Sequence, residues 1–125
     1  MAQGEIDCMF QLEFYESEDG KTAVTDFLDS LDPKMNAKMV ALMELLEEKG
    51  NALRKPYSGS LGDGIFELRC VFGGNITRAL YFFYHGERII VTNGFIKKTQ
   101  KTPSKETMLA KERRDDWFKR QKYND

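Results

Sequence analysis

The residues of this chain whose types and spacing suit chemistry are two arginines, a glutamate and a cluster of lysines. Arg69 stands in the run IFELRCVF and Arg78 in NITRALYFFY, with Gly73-Gly74 between them. A tight turn at those glycines places Arg69 directly across from Arg78 on neighbouring strands. Two like charges so placed repel, and arginine cannot shed its charge to relieve the conflict. The pair is tolerable if Glu67, on the same strand face as Arg69, neutralises part of it, or if the face receives an anion. Arginine meets phosphate through a planar fork of donors, and lysine as a point charge.

The second hairpin turns at His85-Gly86, or one residue later. Either two-residue turn keeps positions 93, 95 and 97 on the face of Arg78, so Lys97 extends the basic row. Lys98 and Lys101 follow in FIKKTQKTP, residues 95–103. Thr102-Pro103 or Ser104 then starts a helix, whose N-terminus has its own preference for phosphate. Tyr84 shares Arg78's face by parity and is placed to stack on a base or donate a hydrogen bond. Tyr81 is predicted to pack in the core, and His85 to be a turn residue at a hairpin tip.

The elements that must position these groups follow from periodicity. MFQLEFY alternates as a strand, with Phe10, Leu12 and Phe14 on one face. TAVTDFLDSL reads as a short helix burying Val24, Phe27, Leu28 and Leu31. Asp32-Pro33 starts a second helix, with Asp as N-cap and Pro at its first position. That helix runs to about Lys49 and ends at Gly50, and its stripe of Met35, Met39, Leu42, Met43 and Leu46 reads as core. Three β-rich runs then form a meander, with a short extra strand near Tyr57–Leu61. In the first of them Phe66, Leu68, Cys70 and Phe72 form the apolar, helix-covered face. Beyond Pro103 a charged helix uses Met108, Leu109, Trp117 and Phe118 as its apolar contacts, and KERRDDWFKRQ reads as a solvated helix face. Residues 1–125 are therefore expected to form one α+β domain of order β-α-α-β-β-β-α, with helices packed on one face of an antiparallel sheet.

Composition sets the partners. The formal net charge of −1 hides a division: residues 1–50 hold 4 basic and 12 acidic residues, net −8, and residues 51–125 hold 15 and 8, net +7. That asymmetry points to a polyanion-binding half, or to two halves that attract each other inside one fold. No stretch approaches the ~20 apolar residues of a membrane span, and the N-terminus has neither a basic n-region nor an apolar h-region. A cytoplasmic protein without membrane contact is expected. Cys8 and Cys70 then read as reduced thiols, Cys70 as a core residue. With a single histidine and no Cys-x-x-Cys, neither a metal nor a cofactor is expected.

Glu67-Leu-Arg69, the run RALYF at 78–82 and GFIKKTQKTP at 94–103, followed by a charged helix, resemble the phage-derived toxin family within the RelE/HigB superfamily. The resemblance runs from the first helix to about Arg113, and GF-x-KKTQKTP is its specific part. It implies a type II toxin–antitoxin toxin: a metal-independent endoribonuclease that cuts mRNA, typically in the ribosomal 30S A site, restrained by a cognate antitoxin. The ribose 2′-OH would attack the adjacent phosphate, leaving a 2′,3′-cyclic phosphate and a 5′-OH. Arg78 matches the strand arginine that holds the scissile phosphate, and Arg69 a basic position on the preceding strand. Lys97 or Lys98 falls where relatives place a basic residue or histidine, and this chain has no histidine there. Proton transfer would then use Lys97, Lys98, Glu67 or Tyr84. Lys101, Arg54, Lys55 and Lys105 are the accompanying candidates for RNA binding. Two other readings stay open: a non-catalytic module that binds nucleic acid or antitoxin, and a gyrase inhibitor like the ParE relatives of the same superfamily.

Overall fold

The computed structural model describes residues 10–97 and 101–124. Their order is β1 (Gln11–Phe14), α1 (Ala23–Ser30), α2 (Pro33–Lys49), a 3-10 turn (Gly50–Ala52), β2 (Ser58–Gly62), β3 (Ile65–Phe72), β4 (Asn75–Tyr84), β5 (Arg88–Lys97) and α3 (Ser104–Asn124). The extra strand expected near Tyr57–Leu61 is thus β2. The Asp32 carboxylate accepts the backbone N–H of Met35 and Pro33 opens α2, while Gly50 ends it at φ +55°. This is the cap chemistry that the residue types predict.

One five-stranded sheet runs in the order β1-β5-β4-β3-β2. The meander is antiparallel, but β1 pairs parallel to β5, so the sheet is mixed rather than antiparallel throughout. The two helices after β1 carry the chain away before the meander forms. The sheet's last strand then returns alongside β1 in the same direction.

The helices also do not share one face. α1 and α2 bury Val24, Leu28, Met39 and Leu46 against Leu68, Ala79, Tyr81 and Val91. α3 packs Ala110 and Trp117 on the opposite face, against Ile65, Leu80, Phe82, Ile90 and Phe95. The physical reason lies in β4 and β5. Both are apolar at odd and even positions alike, the pattern of strands covered on both sides. Of the apolar contacts expected of α3, Trp117 is buried and Phe118, though 38 % exposed, meets the Phe82 ring at 5.5 Å, whereas Met108 is 62 % exposed.

The charged run of α3 is anchored rather than solvated. Arg113 Nη1 donates to the Thr92 carbonyl at 2.8 Å, Lys111 pairs with Asp63 at 2.7 Å, and Tyr15 donates to Asp116 at 2.7 Å. Arg114 and Arg120 donate to the carbonyls of Asp63 and Glu16. Five residues of KERRDDWFKRQ therefore tie the helix to the β2–β3 turn, to β5 and to the segment after β1.

Candidate functional site

The register across β3 and β4 is as the glycine turn predicts: Phe72 pairs with Asn75, and Arg69 stands opposite Arg78. Both turn glycines have positive φ, +62° and +83°, which a two-residue turn matched to strand twist requires. The second hairpin differs from expectation. Its loop has three residues, His85 to Glu87, with Tyr84 paired to Arg88. An irregularity between Leu80 and Tyr81 then leaves Thr92 as an extra residue on β5. The bulge restores the expected parity, so that Arg78 pairs with Phe95, and Asn93, Phe95 and Lys97 share its face. Without it those residues would point at α1 and α2 instead.

Glu67 sits between the two arginines. Its Oε1 lies 3.4 Å from Arg69 Nε, and its Oε2 lies 3.8 Å from Arg78 Nε. Thr102 donates its hydroxyl to the same Oε2. Arg78 Nη1 donates to the Lys101 carbonyl at 3.2 Å. The carboxylate thus offsets one of the two facing charges, the first of the two solutions open to the sequence. The second solution survives at Arg69 only. The Arg78 side chain has no solvent exposure, whereas that of Arg69 is 22 % exposed. Arg69 Nε is buried without a hydrogen-bond partner, because its ion-pair geometry to Glu67 is not that of a hydrogen bond. A buried donor left in that state favours an arriving acceptor.

Arg69 faces a cleft of about 510 Å³ together with Lys55, Glu67, Lys101, Thr102 and Ser104. Three local features open it. Gly59 pairs with Glu67 across β2–β3, and a Cβ at Gly59 would lie 4.0 Å from Arg69 Nη2, so the missing side chain uncovers the guanidinium. The Lys101-Thr102 segment forms the opposite wall, and α3 begins at its rim at Ser104. Chemically this is a concave surface with three cations, one carboxylate and several hydroxyls, suited to a phosphodiester.

The other expected residues are distributed as follows. Tyr84 shares Arg78's face, but six residues farther along the strand, roughly 20 Å at the usual rise. There it packs on Trp117 and Phe118 and lies under Arg88. It is half-buried against the α3 core at the far end, and the strand's length removes it from the site. Lys97 is exposed at the end of β5, opposite Ile76, outside the cleft wall. Arg54 lines a separate cavity on the α1/α2 side, which Lys55 also borders. Lys105 lies on the outer surface of α3 beside Glu106 and Met108. Lys98 and Cys8 fall outside the described residues. Cys70 is buried, and burial pushes its thiol above the ordinary range, which suits an inert core residue. Tyr81 is buried as expected, His85 sits in the turn at φ +55°, and burial raises the Tyr81 hydroxyl.

Sequence reasoning missed Thr102 as the donor that fixes Glu67, and Gly59 as the opening above Arg69. Thr102 was hidden by its reading as a helix start. The small-residue edge strand SGSLG was a legible sign of close approach.

A family model described as Phage derived protein Gp49-like (DUF891) matches residues 26–115. The matched segment runs from within α1 to the middle of α3 and holds Glu67, Arg69, Arg78 and Lys101. The chain belongs to that family. No curated protein matches it.

Proposed function

We propose that this member of the phage-derived Gp49-like family is the toxin of a type II toxin–antitoxin system. In this reading it is a metal-independent endoribonuclease that cuts mRNA at the ribosomal A site. The observation that carries the reading is the cleft where Arg69, Lys55 and Lys101 converge beside Glu67. Family membership is consistent with a toxin-type protein. Two of the needs of RNA transesterification, cations beside the phosphate and a base, have counterparts in the cleft. As the 2′-oxygen bonds to phosphorus and the bond to the 5′-oxygen breaks, negative charge grows on the phosphoryl oxygens. Arg69 meets it, with Lys55 and Lys101 adding charge, and one such contact is worth about 10²–10³ in rate. Among the described groups expected to move protons, Glu67 is the one that lines the cleft; it takes the 2′-OH proton, and the departing 5′-oxygen takes a proton from water to leave as the 5′-OH. Arg78 and Thr102 are positioning residues that hold the carboxylate. A cognate antitoxin restrains the protein by covering the cleft with acidic side chains.

The test is inducible expression in a bacterial host with 5′-end mapping of total RNA, comparing wild type with Arg69→Ala. New 5′-OH ends inside translated reading frames, at least tenfold fewer in the variant, are the expected result. Growth arrest without such ends overturns the nuclease reading and points to gyrase.

The full burial of Arg78 against Glu67 favours a second reading, a non-catalytic member that binds RNA through the same cations. For a nuclease, Arg69→Ala removes the cleavage while ribosome association falls modestly. For a binder, arrest and association fall together.

A further inference from the structure

On the α1/α2 side of β2 lies a second cavity, of about 430 Å³. Its wall is aromatic. Phe66 and Tyr81 stack with centroids 5.7 Å apart, and Phe83 meets both edge-on at 5.4 and 5.7 Å. Held aromatic faces of this kind suit the flat ring of a base. At the same wall Ser58 Oγ and Tyr81 OH lie 2.6 Å apart, both buried. Two hydroxyls own two protons, and only one lies between them. The other has no acceptor among the described residues. Arg54 and Lys55 stand exposed at the mouth.

This cavity and the Arg69 cleft are separated by a single edge strand. Ser58 and Ser60 pair with Leu68 and Phe66 on the α1/α2 face, while Gly59 between them pairs with Glu67 on the other. Lys55, Gly59 and Ser60 border both cavities. A flat apolar wall, a spare hydroxyl proton and a cationic mouth are complementary to a ring with acceptor atoms attached to a phosphate. We propose that the cavity is a base-binding subsite for single-stranded RNA. One base stacks at Phe66 and Phe83 and accepts the spare proton of the Ser58–Tyr81 pair. The adjoining phosphate crosses the strand edge at Gly59 to Arg69, with Lys55 serving both. The inference rests on the RNA reading above and adds where the substrate is gripped.

The experiment is a ¹H–¹⁵N NMR titration of the full chain with adenosine and uridine 5′-monophosphates, and with inorganic phosphate as the comparison. Both nucleotides are expected to shift the amides of Gly50, Asn51 and Ser58, which line the aromatic cavity alone and which phosphate leaves unmoved. The double variant Ser58→Ala, Tyr81→Phe keeps the rings, removes both protons, and should weaken nucleotide binding about fivefold, the scale of one net hydrogen bond. Ser60→Trp, at an exposed position, should block the cavity while phosphate binding persists. Nucleotides that shift only the amides shifted by phosphate, or that bind both variants as they bind wild type, overturn the subsite. Base binding without new 5′-OH ends in cells leaves the subsite standing and removes the nuclease reading. Cleavage with no shifts at Gly50 and Ser58 does the reverse.

Discussion

The two faces of the sheet are buried by different means. Against α1 and α2 the interface is built from methionine, leucine and aromatic side chains, with Tyr81 and Ser58 bonded to each other at its margin. Against α3 the apolar cluster is smaller, and beside it lie buried Glu67, Arg78, Thr92 and Asn93. Asn93 donates to Glu106 Oε1 at 3.0 Å, and Arg113 grips the Thr92 carbonyl. The hydrocarbon face is tolerant of small shifts, because burial there is non-directional. The polar face fixes side chains to particular partners, and it is the face on which Arg69 meets its cleft. A fold that must aim charged groups uses one side for adhesion and the other for alignment.

That contrast can be broken most severely at Arg78. Arg78→Ala leaves Glu67 buried beside one remaining cation, and loss of one partner from a buried pair costs about 3–5 kcal/mol. Urea unfolding should show it, and an Arg78→Ala, Glu67→Leu double variant should recover a large part. On the hydrocarbon side, Leu46→Ala should cost about 2–5 kcal/mol, with no partner substitution that restores it. A specific rescue at Leu46, or none at Arg78, would erase the distinction between the faces.

A smaller effect is expected at Gly94, where a Cβ would come 2.5 Å from the Phe27 ring and 3.2 Å from the Arg78 carbonyl. Gly94→Ala should destabilise by about 1–3 kcal/mol through overpacking. Its amides should shift toward α1 rather than α3.

The smallest effect sharpens the polar side through pH. Tyr15's hydrogen bond is the first cause that holds the Asp116 carboxyl below its usual range. A depressed carboxylate adds stability above its unfolded pKa of about 3.9, lost as pH falls through the lower folded value. Tyr15→Phe should therefore cost about 1 kcal/mol near neutrality. The gap from wild type should close below pH ~4, as equilibrium unfolding across that range would show.

Much of this was legible in the sequence, and the failures have physical causes. Caps at Asp32 and Gly50 and the paired glycines at 73 and 74 encode local geometry, so α2 and the Arg69–Arg78 register could be read directly. Which face α3 covers is a tertiary choice. The clue is present in NITRALYFFY, whose two parities are both apolar even though Arg78 makes one of them look solvent-facing. Tyr84 shows the limit of parity, which assigns a face and says nothing of distance along it. Arg78 shows another limit: residue type marks it as a cation, and only the chain's path through Lys101 and Thr102 shows that it is enclosed. Thr92 could not have been found by pattern, because a three-residue loop and a bulge together reproduce the parity of a simpler hairpin.

That same compensation makes the position unusual under codon deletion. Removing Thr92 subtracts one side chain and regularises the ladder, which a local view would score as mild. The register agrees: Val91 and Asn93 already stand opposite the neighbours Tyr81 and Leu80, so Asn93 to Lys97 would keep their partners and their sides. What would go is the bulge carbonyl that accepts Arg113. In a library of single-codon deletions, loss of this threonine should be among the mildest in β5, the one strand position where the chain carries a residue its partner strand does not match.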